Sequence, residues 1–100
     1  MVESFFDEVT GCLTILVKGR FDYSCHKIFK EAFTGVTKVK ECRVDLAGVT
    51  YLDSSALGML LLLRDHVGAE NEEIRLVNVN SAVIDILKMA NFHRLFDIAE

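Results

Sequence analysis

The segment that decides the fold is residues 44–60, which reads VDLAGVTYLDSSALGML. A short strand is predicted over Cys42–Leu46, and residues 47–52 carry the chain from this strand to the triplet Asp53-Ser54-Ser55. A helix follows the triplet directly. A strand that passes through a short connection into a helix is the repeating unit of an α/β fold, so this segment predicts that class.

The helix after the triplet is expected to run to about Val67, with Gly68 as its C-cap, because glycine readily adopts the backbone conformation that ends a helix. Its middle, Met59–Leu63, is apolar on every side. Such a helix is either deeply buried or partly exposed for a partner. Gly58 costs the helix about 1 kcal/mol relative to alanine, and it therefore predicts close backbone packing at that position.

Two β-like runs, Ser4–Val9 and Cys12–Val17, come before this segment and are separated by Thr10-Gly11. That spacing predicts a β-hairpin. In the second run apolar and polar residues alternate, as they do on a half-buried strand. Gly19 is expected to end the second strand.

A first helix is predicted between the hairpin and the central strand. Its apolar residues recur at helical spacing and form one stripe, made of Cys25, Ile28, Phe29, Ala32, Phe33 and Val36. Either Asp22 or Ser24 is suited to cap its N-terminus, because short polar side chains accept hydrogen bonds from the free backbone N–H groups there.

The C-terminal part repeats the alternation of strand and helix. Ile74–Val79 is a predicted strand, and Asn80 or Ser81 can cap a third helix. Residues 92–98 then form an apolar turn with a candidate last short strand. The order β-β-α-β-α-β-α predicts one small α/β domain over residues 1–100, with a mixed sheet, an N-terminal hairpin and packed helices.

Composition excludes several classes of function. Hydrophobic residues make up 51% of the 100 residues and charged residues 26%, which suits one globular core and argues against disorder. The formal net charge is -4, so neither a phosphate backbone nor anionic lipid is attracted to the chain. We therefore expect no nucleic-acid partner and no direct membrane binding.

The cysteines and histidines point to a reduced compartment and to no metal site. Cys12, Cys25 and Cys42 are odd in number and widely spaced, unlike a disulfide framework. The histidines are also too widely spaced for a local metal motif. The N-terminal residues lack a basic region followed by an apolar stretch, so they do not resemble a signal peptide. These features together predict a cytoplasmic protein.

Two segments combine an acid with hydroxyl groups: Asp22-Tyr23-Ser24 and Asp53-Ser54-Ser55. Each lies between the end of a predicted strand and the start of a predicted helix, which is where sites collect in open α/β sheets. If the two strands are neighbours, Asp22 and Asp53 converge near Ser55. A phosphate on Ser55 would be stabilised by the helix N-terminus and would add about -1.5 to -2 charges.

Residues 44–60 resemble the signature of STAS domains, in the branch of the anti-sigma factor antagonists. The signature is a strand ending in Asp, a short apolar loop and then Asp-Ser-Ser-Gly-Leu-Gly. The likeness extends to Gly19–Asp22, Leu76–Val79 and Asn91–Ile98, and so covers essentially the whole chain. The chain departs from the family at Ala56, where the family often has glycine.

The resemblance implies a phosphorylation switch with Ser55 as the acceptor. A GHKL-type anti-sigma factor kinase, using ATP and Mg²⁺, would add the phosphate, and a PP2C-like phosphatase would remove it. The unphosphorylated form would bind the anti-sigma factor and release its client. The partner-binding region implied around Ser55, here called the switch surface, is made of Asp22, Ser24, Asp53, Ser54, Ala56 and Leu57. No cofactor, metal or small-molecule substrate is implied, and the chain is not expected to be an enzyme.

Plainer interpretations of the same residues stay open. Ser55 can be an ordinary first-turn residue with Asp53 as its N-cap, and Asp22 can be only a cap of the first helix. A serine hydrolase triad is a poorer alternative, because Gly-x-Ser-x-Gly is absent and no histidine is evidently placed beside Ser55. A phosphate-binding loop of the Gly-x-x-x-x-Gly-Lys type is also absent.

The main rival function is a STAS domain that acts as a constitutive scaffold. Such domains occur as small subunits of lipid-transport ABC systems and in sensory assemblies. Ser55 would then stay unmodified, and the apolar face of the second helix would be a permanent interface. The intact Asp-Ser-Ser triplet favours the switch.

Overall fold

A computed structural model describes residues 1–67 and 74–100 of the protein. Its strands and helices, in chain order, are β1 (Val2–Asp7), β2 (Cys12–Phe21), α1 (His26–Thr34), β3 (Glu41–Leu52), α2 (Ser54–Val67), β4 (Ile74–Val77), α3 (Ser81–Met89) and β5 (Asp97–Ile98). Short 3-10 turns precede α1 (Tyr23–Cys25) and β5 (Phe92–Arg94). The predicted C-cap at Gly68 lies outside the described residues.

Within the described residues the strands form one five-stranded sheet in the order β1-β2-β3-β4-β5. β1 and β2 pair antiparallel, and the other neighbours pair parallel. The predicted α/β class and hairpin are thereby confirmed, and β5 is the short last strand that was a candidate in residues 92–98. Each parallel connection steps to the next strand in the same direction, so right-handed crossovers place α1, α2 and α3 on one face of the sheet.

The core lies between that face and the helices. On β2, β3 and β4, buried residues alternate with more exposed ones, as expected for a sheet covered on one side. The largest wholly buried side chains are Phe21, Phe29, Leu13, Ile15, Leu46, Met59, Leu60, Leu63, Leu76, Leu87, Val17 and Val44. Burying one side chain of this kind contributes about 1.5–3 kcal/mol, and this cluster therefore holds the helices against the sheet.

Several predicted strand boundaries were wrong. β1 covers Val2–Asp7 rather than Ser4–Val9, and β4 ends at Val77 rather than Val79. Gly19 does not end β2: it has a φ of +79° and lies at a shift in the pairing register with β3, after which the strand continues to Phe21. Glycine tolerates this positive φ, so it permits an irregularity within the strand. Residues 47–52 are strand rather than connection, because β2 continues alongside them and supplies partners as far as Leu52.

The helix starts correct one prediction and resolve another. Neither Asp22 nor Ser24 caps α1, whose N-cap is Cys25 without a capping hydrogen bond from its side chain. Asp22 instead caps the 3-10 turn before α1, accepting a hydrogen bond from the backbone N–H of Ser24. Asn80 caps α3 through the N–H of Val83, and its amide also donates to the Val49 carbonyl of β3. The predicted stripe on α1 was wrong at Ile28, which is 51% exposed, because it lies at the edge of the helix face whose buried residues are Phe29 and Phe33.

The structure also describes the state of the thiols, the grouping of candidate metal ligands and the length of the apolar helices. The three cysteines are free, and burial raises the pKa of the Cys42 thiol to about 12, which keeps it protonated and unreactive at neutral pH. In the described part of the chain, no three His, Cys, Asp or Glu side chains are grouped to hold a metal ion. None of the helices described is long and apolar enough to cross a membrane.

Candidate functional site

The site is built where β2 and β3 end side by side. The two strands are parallel neighbours, and Phe21 pairs with Leu52 at their last register position. The next residue on each strand is an acid, Asp22 or Asp53. The condition on which the sequence argument depended is met, since the two strands are adjacent. The two carboxylates are close enough for the charge of Asp22 to act on the pKa of Asp53.

Asp53 organises the first turn of α2. Its Oδ1 accepts hydrogen bonds from the Ser55 backbone N–H at 3.0 Å, the Ser55 hydroxyl at 2.7 Å and the Ala56 N–H at 3.2 Å. The Asp53 carbonyl accepts the Leu57 N–H at 3.2 Å. Asp53 is thus an N-cap whose carboxylate also fixes the orientation of the Ser55 hydroxyl.

Hydrogen bonding sets the charge state of Asp53. The bond from the Ser55 hydroxyl, helped by the N–H groups of Ala56 and Ser55, holds the pKa of Asp53 below its ordinary value. Partial desolvation and the negative charge of Asp22 oppose this shift without reversing it. The carboxylate beside Ser55 is therefore ionised at neutral pH.

The turn after β2 repeats this arrangement one strand away. Oδ1 of Asp22 accepts the Ser24 backbone N–H at 3.0 Å and the Ser24 hydroxyl at 2.5 Å. Its Oδ2 receives the Nε–H of Arg20 at 3.1 Å. These contacts, led by the Ser24 hydroxyl, lower the pKa of Asp22. Two ionised Asp-x-Ser turns thus lie side by side at one end of the sheet.

Sequence reasoning missed two residues at this end. The guanidinium of Arg20 lies 4.0 Å from the centre of the Tyr51 ring, a cation–π contact. Arg20 and Tyr51 are register partners on β2 and β3, and Tyr51 is 42% exposed. Their contact could have been predicted only from the pairing register of β2 and β3. That register shifts at Gly19, and the sequence alone does not show the shift.

The predicted switch surface is mostly accessible, with one correction. Ser54 and Ser24 are exposed, while Asp22, Asp53 and Ser55 are half-buried. Ala56, in contrast, is 0% exposed. Its side chain faces the core because it lies on the inner side of α2, so the site receives only its backbone N–H. Leu57 is partly buried and packs against the same core.

The outer side of α2 also departs from expectation. Gly58 was predicted to mark close backbone packing, but a Cβ placed there would meet no atom of another element within 4 Å in the described part of the chain. Leu61 and Leu62 are 39% and 43% exposed, although the neighbouring Leu60 and Leu63 are wholly buried. Of the two environments predicted for this apolar helix, α2 has both: one side is core and the other faces solvent.

Two depressions in the described surface lie away from the site. One depression of about 490 Å³ and another of about 310 Å³ share Val36, Thr37 and Lys38 in their linings. They lie near Gly11 and Lys40, which precede β2 and β3, and so at the opposite end of the sheet from Ser55.

The chain belongs to the STAS domain family. Residues 4–97 match the family described as "Mlab, STAS domain". A STAS-domain containing protein of Pseudomonas aeruginosa (strain UCBPP-PA14) is 51% identical over 88 residues, which is 87% of this chain and 87% of that protein.

Solved structures show the same fold at low sequence identity. An anti-sigma factor antagonist from Mycobacterium paratuberculosis is 18% identical, with a TM-score of 0.80 over 99% of this chain and 86% of that chain. The anti-sigma factor antagonist SpoIIAA, unphosphorylated, is 13% identical, with a TM-score of 0.72 over 100% and 87%. A sulfate transporter family protein from Wolinella succinogenes is 14% identical, with a TM-score of 0.75 over 95% and 80%.

Proposed function

We propose that this protein is an anti-sigma factor antagonist in a cytoplasmic partner switch. In its unphosphorylated form it binds an anti-sigma factor that is also a GHKL-type serine kinase, and the client of that factor is released. The kinase phosphorylates Ser55, which ends the binding. A PP2C-like phosphatase restores the unphosphorylated form.

The observation that carries this proposal is the geometry at Ser55. Its hydroxyl lies in the first turn of a 14-residue helix and donates to Asp53 at 2.7 Å. The hydrogen bond holds the oxygen in one position, and the helix N-terminus stabilises negative charge placed there. A phosphate can therefore be accommodated at Ser55 without unfolding the domain.

The electrostatics explain how a phosphate would act as a switch. Ser55 already lies beside the ionised Asp53, with Asp22 close by. A phosphate adds about -1.5 to -2 charges and removes the hydroxyl proton that Asp53 accepts. A partner that fits the unphosphorylated surface would then face concentrated negative charge, and like-charge juxtaposition can cost several kcal/mol in a complex.

In this mechanism the chain is a substrate and binding partner rather than a catalyst. The kinase supplies the nucleotide, the metal and the base for phosphoryl transfer, so the chain itself needs no cofactor. Asp53 acts by positioning the hydroxyl. The fold relative SpoIIAA has been solved in a phosphorylated form as well as an unphosphorylated one, which supports a fold that tolerates this modification.

Phosphosite mapping tests the proposal. The protein is purified from its host with phosphatase inhibited, and intact mass and peptide mass spectrometry are recorded at several growth stages. We expect one phosphate, on Ser55, in a fraction that changes with growth. The Ser54→Ala variant serves as the matched control and should still be phosphorylated. Phosphate on Ser54 instead of Ser55 would refute the assigned acceptor, and an unmodified protein in all conditions would refute the switch.

Binding provides a second test. Ser55→Ala cannot be phosphorylated and should bind the kinase constitutively, whether or not ATP is present. Wild-type protein should lose the kinase after incubation with ATP and Mg²⁺. Size-exclusion chromatography of each purified complex with the kinase, before and after ATP and Mg²⁺ are added, would measure the fraction bound. If the Ser55→Ala complex dissociated as much as the wild-type complex, the mechanism would be contradicted.

A constitutive scaffold is the second candidate, and one observation favours it: the matching family carries "Mlab" in its description. The exposed Leu61 and Leu62 of α2 are compatible with either candidate, since both need an interface. The two candidates differ in the partner that co-purifies. A serine kinase supports the switch, whereas an ABC transporter ATPase together with unmodified Ser55 supports the scaffold.

A further inference from the structure

Gly58 is a glycine for which the fold offers no reason. Among the other described glycines, Gly11 and Gly19 have positive φ, Gly48 lies against the Lys18 side chain, and Gly35 ends α1. Gly58 lies inside α2 and is exposed, and beyond the backbone of its own helix an added Cβ there would contact no atom of the described residues within 4 Å. Since alanine is the better helix former at such a position, no contact among the described residues accounts for the glycine.

The position of Gly58 on the helix relates it to Ser55. Ser55, Gly58 and Leu62 follow one another at i, i+3 and i+7, and so lie along one side of α2. Side chains three residues apart on a helix have their Cβ atoms about 5–6 Å apart. Gly58 therefore leaves a gap in the helix surface, with the half-buried Ser55 on one side and the exposed Leu61 and Leu62 on the other.

We propose that this gap, the Gly58 notch, is where the kinase that phosphorylates Ser55 packs directly against the backbone of α2. The inference rests on the proposed function and names the contact that the partner makes. A kinase whose active site reaches the Ser55 hydroxyl must also cover the neighbouring turn of α2, and so must lie over Gly58. Glycine permits a partner to approach a backbone more closely than any other residue does.

The rim of the notch defines the chemistry of the partner surface. Leu61 and Leu62 present apolar area next to the gap, so the kinase should place a compact apolar side chain or helix ridge there. A methyl group at position 58 would occupy the gap and hold the two surfaces apart. It would leave the interior of this domain unchanged, because the added atom points into open space.

The experiment compares Gly58→Ala with a matched variant, Gly35→Ala. Gly35 also has open space at its Cβ position and an ordinary negative φ, but it lines the depression at the opposite end of the sheet. Calorimetric titration with the purified kinase that phosphorylates Ser55, with ADP present, measures the dissociation constant. Thermal unfolding of each free variant measures stability.

We expect Gly58→Ala to bind the kinase at least about tenfold more weakly while its melting temperature stays at or above that of the wild type. Gly35→Ala should bind as the wild type does. Weaker binding with an undiminished melting temperature would separate an interface role from a structural role, because replacing a glycine that the fold needs would lower the melting temperature.

The failures are distinguishable. If the unphosphorylated wild-type protein does not bind the kinase, the proposed function fails and the notch fails with it. If the wild type binds and Gly58→Ala binds equally well, only the notch is refuted. A melting temperature for Gly58→Ala well below that of the wild type would also refute the notch, since the glycine would then serve the fold.

Discussion

The two Asp-x-Ser turns have the same local geometry and different surroundings. In each, one carboxylate oxygen accepts the backbone N–H and the hydroxyl of the serine two residues later. Each acid follows the last paired residue of its strand. Judged by hydrogen bonds alone, Ser24 and Ser55 are equivalent.

The difference lies in what each turn is attached to. Asp53 caps the 14-residue helix α2 and also accepts the Ala56 N–H. Asp22 caps a three-residue 3-10 turn, and its second oxygen is paired with Arg20. Only the Asp53 turn is placed at the start of a long helix, where anionic charge is best stabilised. The comparison teaches that a local motif defines the geometry of a serine, whereas the attached elements define its suitability as a switch.

The largest expected effect separates the two serines in partner binding. Ser55→Glu should weaken kinase binding at least about tenfold, because it places negative charge beside Asp53 at the centre of the proposed interface. Ser24→Glu should change it by less than about threefold, which corresponds to less than 1 kcal/mol, since Arg20 lies next to that turn. Dissociation constants from calorimetric titration measure both.

The proposed difference between the two serines would be refuted if Ser24→Glu weakened kinase binding as much as Ser55→Glu. The two turns would then form one continuous interface with equal contributions. A single carboxylate carries less charge than a phosphate, so phosphorylated wild-type protein, compared in the same assay, should bind more weakly still than Ser55→Glu.

A smaller effect separates the two acids in stability. Asp53→Ala should lower the melting temperature more than Asp22→Ala, because it removes the cap of a helix that carries much of the core. Asn80→Ala, which removes the neutral cap of α3, gives a reference value of about 1 kcal/mol. Urea or thermal unfolding followed by circular dichroism compares the three variants, and a larger loss for Asp22→Ala would reverse the ranking.

The smallest effect concerns pH. Both acids have a pKa below the ordinary 3.8 in the folded protein, so the unfolded chain takes up protons first as the solution is acidified. Their stabilisation is therefore complete above the ordinary pKa and is lost as the pH falls through the lower, folded pKa. Carboxyl NMR titration should find both groups titrating below 3.8.

Serine variants sharpen this pH prediction. Ser55→Ala should raise the pKa of Asp53 towards its ordinary value, because the Ser55 hydroxyl is the largest cause of the shift. Ser24→Ala should do the same for Asp22 only. If Ser55→Ala left the titration of Asp53 unchanged, the hydroxyl would not be held by that carboxylate in solution.

Much of the fold followed from local patterns. The hairpin at Thr10-Gly11, the start of α2 after Asp53 and the α/β class were all predicted from spacing and composition. Gly19 was misassigned because a glycine with positive φ can end a strand or bend it. Only the pairing partner decides between these outcomes, and here β3 runs alongside as far as Leu52.

In the candidate site, too, the residues found from the sequence depend on local contacts, and those missed depend on contacts between elements. The acids and serines were found from sequence because capping chemistry is local, determined by residues two or three apart. Arg20 beside Tyr51 was missed because their contact crosses two strands. Ala56 was placed on the wrong side of α2, because a helix apolar on every side carries no signal of which side is buried.

By itself, the sequence determined the α/β class, the Asp-x-Ser turns and the serine at the head of α2, since each depends on interactions within a few residues. The tertiary structure decided that the two turns lie side by side, that Ala56 is core and that Gly58 faces solvent. These depend on strand order, register and helix rotation, which are set by the burial of one shared core and not by any short stretch of chain.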